Sequence, residues 1–199
     1  MTNIQNRRVV NGWSRKDLAE KTGLTVGQIQ TVENDGRYTW ETIKALSQAF
    51  NLSYTSLGLN IPTAREMDNK LWTTFGRYIR LRDSRGGEIG LCISCGKMVH
   101  YKDADAGHYI SRNYKAVKYN EKNVNLQCKR CNKHMYGNIV SYRKGLCKKI
   151  STSAVENLEK IMDAPDPLDR DLLWEMTKFY KEEVKQMGAD QSYSPKSFN

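Results

Sequence analysis

The stretch of sequence that decides the fold of this chain runs from Cys92 to Asn132 and reads CISCGKMVHYKDADAGHYISRNYKAVKYNEKNVNLQCKRCN. It begins with one Cys-x-x-Cys pair, Cys92 and Cys95, and closes with a second pair, Cys128 and Cys131, with 32 residues between the pairs. Each pair offers two thiolates on one tight turn, and tetrahedral zinc takes four such ligands. The spacing therefore predicts a structural Zn²⁺ site made by all four cysteines. A redox dithiol is the weaker alternative, because it needs only one pair.

Composition is typical of a globular protein that works away from membranes. The chain has 199 residues, of which 39% are hydrophobic and 27% charged. No apolar run approaches the roughly 18 residues of a membrane span. Residues 1–11 are polar and lack the apolar core of a signal peptide. We therefore expect no membrane partner and a cytoplasmic location, where Cys-x-x-Cys pairs favour metal or redox chemistry over structural disulfides.

Positive charge is concentrated in the cysteine-bearing middle of the chain. Residues 61–150 hold 19 Lys or Arg and 7 Asp or Glu, a net charge of +12. Residues 1–60 hold 7 and 5 (+2), and residues 151–199 hold 6 and 10 (−4). Clustered basic side chains gain free energy on a phosphate backbone by releasing counterions. A solvated surface without a ligand is the alternative, but the segregation of charge favours a nucleic-acid partner.

The first 58 residues predict a helix-turn-helix domain. Ser14 is typical of a helix N-cap, Gly23 of a helix end, and Thr25 and Thr39 of two further N-caps. The stretch LAEKTGLTVGQIQTVENDG resembles the repressor-like helix-turn-helix family, which lays its second helix in the major groove. A small helical domain that binds protein is the alternative, since this segment carries little net charge.

The resemblance implies that the start of the second helix faces DNA bases. Gln28 and Gln30 are the side chains there that can pair an adenine edge through two hydrogen bonds, and Thr31 lies beside them. Only these two glutamines offer such pairing, so direct base readout is expected to be limited.

A linker is predicted over residues 59–66, because Gly58 and Pro62 lie in a stretch that lacks periodicity. Beyond it, apolar residues at three- and four-residue intervals predict a helix that ends near Arg82. The charged face of that helix, with Arg77, Arg80 and Arg82, is placed to follow a phosphate backbone.

Polar residues beside the cysteine pairs point to chemistry beyond zinc. His108 lies midway, in a segment that reads as extended (GHYIS), while Asn123 precedes Cys128 by five residues and Asn132 directly follows Cys131. This order resembles the HNH nuclease family, whose core is a β-hairpin followed by a helix around one catalytic metal. The resemblance implies that His108 is the general base, that Asn123 orients its ring and that Asn132 binds a catalytic Mg²⁺ or Mn²⁺. A neutral imidazole suits proton uptake from water, but a structural or merely exposed histidine is the alternative.

The carboxylate ligand of that metal departs from the family pattern. Many HNH proteins have an aspartate immediately before the histidine, where this chain has Gly107, so Asp105 is the candidate ligand. On a regular strand Asp105 points away from the face of His108, and we expect a bulge at Gly107 to bring both side chains to one metal. Asp103 or a water molecule is the alternative ligand.

Further site residues follow from the same block of sequence. A helix that begins near Asn132 would carry two additional metal-site candidates, His134 and Asn138, with an ordinary helix surface as the alternative. Basic side chains expected to contact DNA around the motif are Arg112, Lys129, Arg130 and Lys133.

A closer resemblance covers the chain from about Leu71 to Met187. The segments LCISCG, DAGHYISR and YNEKNVNLQCKRCNKHMYGNIVSYRKGL are similar to the NinG, or Rap, family of phage recombination proteins, in which DAGH is the usual form of the motif. The resemblance implies a structure-selective endonuclease acting on branched DNA such as Holliday junctions and D-loops. It also implies a phage or prophage origin and action in the cytoplasm of the bacterial host. The helix-turn-helix segment is a departure from the family and leaves the means of targeting open.

The C-terminal part of the chain predicts two helices separated by Pro165 and Pro167. The second helix carries apolar residues at helical spacing: Leu168, Leu172, Met176, Phe179 and Val184. Such a stripe is usually intramolecular core. A homodimer face is the alternative, which an enzyme cutting two strands symmetrically would use.

The predicted fold class is mainly α with a small zinc-stabilised β-hairpin. A helix-turn-helix domain occupies residues 1–58, a linker 59–66, an HNH-like zinc-containing nuclease domain 67–188, and a disordered tail 189–199. The leading hypothesis is a metal-dependent endonuclease with branched or duplex DNA as its partner. A non-catalytic DNA-binding regulator is the alternative, and an RNA-binding zinc protein is disfavoured by the HNH-like order of residues.

Overall fold

The computed structural model describes residues 3–84 and 88–188, and the chain divides into two compact units between Thr63 and Ala64. The tail at 189–199, for which the sequence predicts disorder, lies outside the described residues. Both units are mainly helical, and the second also contains two small antiparallel sheets. Within the described part of the chain, every helix is too short or too polar to span a bilayer.

The first unit is built from short capped helices. They are α1 (Asn3–Val10), α2 (Arg15–Thr22), α3 (Val26–Asp35) and α4 (Trp40–Phe50), followed by a 3₁₀ turn at Tyr54–Leu57. The predicted caps are confirmed: the side chains of Ser14, Thr25 and Thr39 each accept a hydrogen bond from the first turn of their helix. Gly23 ends α2 in the left-handed conformation, with φ at 68°.

A buried carboxylate ties three segments of the first unit together. Glu33 on α3 is only 2% exposed, yet it is ionised, because Arg8 on α1 and Arg15 on α2 donate to its two oxygens at 2.6 and 2.7 Å. Removing one partner of such a group leaves buried charge unpaired, which makes the arrangement specific to this packing. Apolar side chains such as Leu18, Ile29 and Leu46 complete the core of the unit.

The second unit places two β-hairpins among helices. Its elements are α5 (Ala64–Asp83), β1 (Ile89–Leu91), β2 (Met98–His100), β3 (Ala104–His108), β4 (Val124–Cys128), α6 (Ile139–Ile150), α7 (Thr152–Lys160) and α8 (Arg170–Gln186). Strands β1 and β2 pair with each other, and β3 pairs with β4. Sequence reasoning predicted one hairpin, so the hairpin that carries the first cysteine pair was missed.

Strands β3 and β4 form an unbroken antiparallel ladder. Ala104 faces Cys128 at one end, Gly107 faces Asn125, and His108 faces Val124 at the other end. The bulge predicted at Gly107 is therefore wrong, because every residue of β3 has a partner in register. Side chains alternate along such a ladder, so those of Asp105 and His108 leave it on opposite faces.

The predicted helix near Asn132 is also wrong in its start. Residues Arg130–His134 form a short π-helical turn, and α6 begins only at Ile139. Three consecutive residues between them adopt positive φ: Tyr136 at 47°, Gly137 at 89° and Asn138 at 45°. The π-helical turn and α6 are therefore separate elements.

Helices cover the hairpins on two sides. Phe75 and Tyr78 of α5 contact Tyr180 of α8, with ring centroids 4.9 and 4.8 Å apart. A separate cluster that includes Tyr142 and Leu146 of α6 packs against Val155 of α7.

The apolar stripe predicted on α8 is displaced by about one residue. Leu173, Thr177 and Tyr180 are the buried residues, whereas Leu172 and Phe179 are 37% and 54% exposed. The actual buried face includes a threonine, whose hydroxyl donates to the Leu173 carbonyl within the helix.

Candidate functional site

Four cysteines converge where the two hairpins meet. Cys92 and Cys95 lie on the turn between β1 and β2, Cys128 ends β4, and Cys131 lies in the π-helical turn. Their sulfur atoms all lie within 4.8 Å of one another, and Cys95 Sγ is 3.9 Å from Cys128 Sγ. A tetrahedron with metal–sulfur bonds of ~2.3 Å has edges of about 3.8 Å, so the spacing suits one metal ion.

The electrostatics of the cluster also favour a cation. Burial raises the pKa of Cys131 to about 12 despite a hydrogen bond that Asn138 Nδ2 donates to its sulfur at 3.4 Å. Thiols packed this closely cannot all ionise unless a positive charge lies between them. The four cysteines thus form a cluster that can hold a metal ion such as zinc.

Asn138, one of the predicted metal-site candidates, lies at the cysteine cluster. Asn138 does not line the cleft beside His108, and its Nδ2 is directed to Cys131 of the cysteine cluster. Its position at the N-cap of α6, with φ at 45°, directs it there.

His108 ends strand β3 and is held on two sides. Its ring stacks on Trp72 of α5, with centroids 4.9 Å apart and planes 22° apart. Its Nε2 lies 2.9 Å from the carbonyl oxygen of Lys118. A carbonyl only accepts hydrogen bonds, so Nε2 carries the proton and Nδ1 is left as the basic nitrogen of the ring. Burial lowers the pKa of His108 to about 4, so the ring is neutral at neutral pH.

The carbonyl that fixes this tautomer is itself anchored to α5. The ammonium group of Lys118 donates to both oxygens of Asp68 at 2.5 and 2.7 Å, and the Tyr119 hydroxyl donates to the same carboxylate. Burial opposes ionisation of Asp68, but these donors outweigh it and lower its pKa. Helix α5 therefore positions both the ring that stacks on His108 and the segment whose carbonyl accepts a hydrogen bond from His108.

Asn123 acts on the loop after β3. Its Oδ1 accepts from the Ile110 backbone at 2.7 Å, and its Nδ2 donates to the carbonyls of Ile110 and Val117 at 2.9 and 3.0 Å. The amide is fully buried and bonded to backbone groups, so the predicted effect of Asn123 on the histidine ring would act through the backbone and not by direct contact. Asn123 is a positioning residue, since Val117 directly precedes Lys118.

A cleft of about 560 Å³ opens beside His108. The residues that line it include Trp72, His108, Ser111, Arg112, Asn132 and Tyr136. Asn132 and His108, which the sequence predicted to share a site, therefore face the same space.

Asp105 lies at the other end of this arrangement. Asn132 Nδ2 donates to its carboxylate at 2.9 Å, and Lys133 Nζ lies 3.9 Å from the same oxygen. Because Asp105 and His108 leave β3 on opposite faces, the link between them runs through Asn132. The structure therefore brings together Asp105 with Asn132, and Asn132 with His108.

The structure also explains the glycine before the histidine. A Cβ atom added to Gly107 would lie 2.1 Å from Oε1 of Gln127, a fully buried side chain on β4. Gln127 Nε2 is fixed in place by Ser94 and by the carbonyl of Gly137, at 2.8 and 2.6 Å. An aspartate cannot fit at 107 in this packing, and Asp105 occupies the same face of the strand one pleat earlier.

The remaining candidates separate into exposed and occupied side chains. His134 is exposed on the π-helical turn and does not line the cleft. Lys129, Arg130, Lys133 and Arg112 are exposed, and Arg77 is half-buried.

Two arginines of the predicted phosphate-following face differ in their surroundings. Arg80 is half-buried, and its Nε has no hydrogen-bond partner among the described residues. Burial lowers its pKa, and the nearby Asp105 carboxylate partly offsets this effect. Arg82 donates to Asp83 at 2.9 Å and to the carbonyls of Glu121 and Val124 at 2.9 and 3.0 Å. The Arg82 guanidinium is therefore engaged within the protein, whereas contact of Arg80 with DNA stays a prediction.

One helix-turn-helix residue has a different role from the predicted one. Gln28 Oε1 accepts from the Thr25 backbone at 2.8 Å as half of a capping box, so pairing an adenine would break the cap. Thr31 donates to the Gly27 carbonyl, while Gln30 is exposed.

Three functional partners were missed from the sequence. Trp72, the Lys118 carbonyl and Tyr142 all hold the histidine or its strand, and the Tyr142 hydroxyl donates to the Gly107 carbonyl at 2.8 Å. Trp72 had a weak signal, as an aromatic on a predicted amphipathic helix. A backbone carbonyl leaves no signal in the residue types.

Comparisons with known proteins agree with this division of the chain. The sequence model described as "Bacteriophage Lambda NinG protein" matches residues 56–190, and the model described as "Helix-turn-helix" matches residues 4–57. The chain belongs to the NinG family. Its N-terminal unit is a helix-turn-helix domain, a fold of DNA-binding proteins. No solved structure matches the chain.

Individual NinG proteins match over a shorter region. "Protein ninG" of Escherichia phage lambda is 41% identical over 69 residues, which is 34% of this chain and 33% of that protein. "Protein ninG" of Salmonella phage P22 and that of Escherichia phage 933W are each 39% identical over 69 residues. The chain thus spans about a third of the length of the curated relatives it matches.

Proposed function

We propose that this NinG-family chain is a metal-dependent endonuclease that acts on branched DNA in phage recombination. The observation that carries the proposal is the protonation state of His108 together with its position beside the cleft. A half-buried, neutral imidazole with its tautomer fixed at one nitrogen faces an open cleft, at the end of the β3–β4 hairpin opposite Cys128. A histidine kept only for packing has no need of an open cleft.

The residues around the cleft support proton transfer at Nδ1. Nε2–H donates to the Lys118 carbonyl, and this bond keeps Nδ1 as the acceptor for a proton from the attacking water. The stack on Trp72 holds the ring plane. Since the pKa is about 4, the ring accepts the proton only as the new bond to phosphorus forms, and it returns to the neutral form readily afterwards.

Asp105 and Asn132 fit the ligand chemistry of a hard divalent cation. They offer a carboxylate and an amide oxygen on side chains that a hydrogen bond from Asn132 Nδ2 to Asp105 holds together, and Mg²⁺ is commonly held by one or two carboxylates together with substrate phosphate oxygens. When bound, Mg²⁺ or Mn²⁺ would neutralise charge on the phosphate and on the leaving oxygen. The cysteine cluster would hold Zn²⁺ structurally, because four thiolates leave no open position for substrate.

DNA as the substrate is supported by charge and by family membership. The net charge of +12 over residues 61–150 is carried partly by the exposed Lys129, Arg130 and Lys133 beside Asn132. Branched DNA, as opposed to continuous duplex, is supported by the resemblance to phage recombination proteins.

The test is incubation of the zinc-loaded protein with labelled four-way junction, flap, duplex and single-stranded DNA, with and without Mg²⁺. We expect Mg²⁺-dependent cleavage of the branched substrates above the duplex. Tight binding of all substrates without any cleavage would instead favour a non-catalytic DNA-binding regulator. The helix-turn-helix match is the observation that supports this second function.

A further inference from the structure

Tyr136 has an exposed aromatic ring at the edge of the cleft and a backbone conformation that is unfavourable for a bulky residue. Tyr136 is 92% exposed, and its φ of 47° lies in the left-handed region that bulky residues avoid. Single exposed apolar side chains are common, but here the exposure is combined with an unfavourable backbone. Such strain persists only where the surroundings determine it, and it concentrates at functional positions.

The backbone on both sides of this ring is fixed by hydrogen bonds. Gly137 N–H donates to the Cys131 and Asn132 carbonyls at 3.0 and 3.1 Å, and the Gly137 carbonyl accepts from the buried Gln127 at 2.6 Å. Asn138 N–H donates to Met135 at 2.7 Å. The turn is therefore rigid and connected to the cysteine cluster, so Tyr136 presents its ring at low entropic cost.

The position of the ring indicates its ligand. Tyr136 lines the same cleft as His108 and Arg112, and the turn that leads to it carries Arg130 and Lys133. A phosphate backbone drawn to these basic groups would bring its bases next to the ring. Aromatic side chains stack on any base that has an open face, whereas bases inside a paired duplex are already stacked on their neighbours.

We propose that Tyr136 stacks on an unpaired or unstacked base of the DNA in this cleft, and so selects branched or distorted DNA over continuous duplex. The inference rests on the proposed function in taking DNA as the ligand of the cleft. It adds a residue that distinguishes substrates without taking part in proton transfer.

The test measures binding without Mg²⁺, so that it does not depend on cleavage. The probes are a duplex with one bulged 2-aminopurine and the matched continuous duplex, titrated with the full zinc-loaded chain. The variants are Tyr136→Phe, which keeps the ring, and Tyr136→Asn, which removes it while tolerating positive φ. Tyr114→Ala is the matched control, since Tyr114 is a 38% exposed tyrosine that does not line the cleft.

We expect Tyr136→Asn to weaken binding of the bulged probe roughly 5- to 150-fold, to abolish the quenching of 2-aminopurine, and to leave duplex binding unchanged. Tyr136→Phe and Tyr114→Ala should bind both probes like wild type. Equal effects of Tyr136→Asn on both probes, or none, would overturn the proposal. So would dissociation of a dimer by this variant with DNA binding intact, because the ring would then serve contact between copies. Absence of nuclease activity in the protein would not affect these results, which separates this inference from the proposed function.

Discussion

At the scale of single residues, burial of His108 changes what its pH dependence should look like. An unperturbed histidine loses its basic form below about pH 6.5, but the lowered pKa of about 4 keeps His108 neutral well below that value. We expect the single-turnover cleavage rate, corrected for DNA bound, to stay level from pH 8 to about 5 and then to fall towards pH 4. Circular dichroism at each pH provides the control for folding. A rate that falls tenfold per unit from pH 6.5 downward would show that the ring titrates normally.

The same depressed pKa has a consequence for stability. The unfolded chain takes up a proton on this histidine near pH 6.5, whereas the folded chain does so only near pH 4. The contribution of the neutral ring to stability is therefore complete above pH 6.5 and is lost as the pH falls towards 4.

Gly107 offers a second test at this scale. Alanine there would place Cβ 2.1 Å from Gln127 Oε1, so Gly107→Ala should lower the free energy of unfolding by about 1–3 kcal/mol, the usual cost of overpacking. Combining it with Gln127→Ser should recover part of the loss, because the shorter side chain vacates that space. Thermal denaturation of the single and double variants measures both. Additive losses would contradict the close contact.

The residue types predicted which side chains lie near one another more accurately than they predicted the role of each side chain. His108 and Asn132 line one cleft and Asn132 bonds to Asp105, whereas Asn123 bonds to the loop and Asn138 to Cys131. The difference arises because an amide bonds equally well to backbone, sulfur or metal, and only the packing decides which is within reach.

At the scale of elements, the cysteine cluster should control the folding of the second unit. Cys131→Ser should abolish binding of one zinc equivalent and unfold this unit, because the site forms together with the fold. Asn138→Gly, which tolerates the φ of 45°, should keep the zinc and weaken its affinity about 10- to 100-fold. Metal analysis and competition with a chelator measure both variants. Full zinc content in the Cys131→Ser protein would contradict the four-cysteine site.

Helix existence was predictable, whereas the buried face and the start of a helix were less so. The caps at Ser14 and Thr25 are local signals and were read correctly. On α8 the apolar stripe and the true buried face differ by one position, because Thr177 satisfies its hydroxyl within the helix and can be buried. The late start of α6 depends on three residues with positive φ, which only Gly137 signals.

At the scale of the whole molecule, the two units predict separable roles. The excess of basic residues lies beyond residue 60, and so does the cleft. We expect a 64–199 fragment to fold, to hold one zinc and to cut branched DNA, with altered affinity through loss of the helix-turn-helix unit. Gel-shift and cleavage assays on junction and duplex compare it with the full chain. A folded fragment that no longer binds junctions would place branch recognition in the first unit.

Domain order was accessible from the sequence because charge, linker composition and capping residues all change near residue 60. The structure divides the chain between Thr63 and Ala64. The β1–β2 hairpin could not be predicted from the sequence, because its three-residue strands are too short to show alternation.

The central claim is that His108 takes the proton from water in DNA cleavage, and the most direct measurement compares single-turnover cleavage of a four-way junction by wild type and His108→Ala. The variant should keep its zinc content, its fold and its junction affinity, measured without Mg²⁺. Its cleavage rate with saturating Mg²⁺ should be lower by roughly 10²- to 10⁴-fold, the usual effect of losing a positioned proton acceptor. Cutting at the wild-type rate by a folded, zinc-loaded His108→Ala protein would contradict the account.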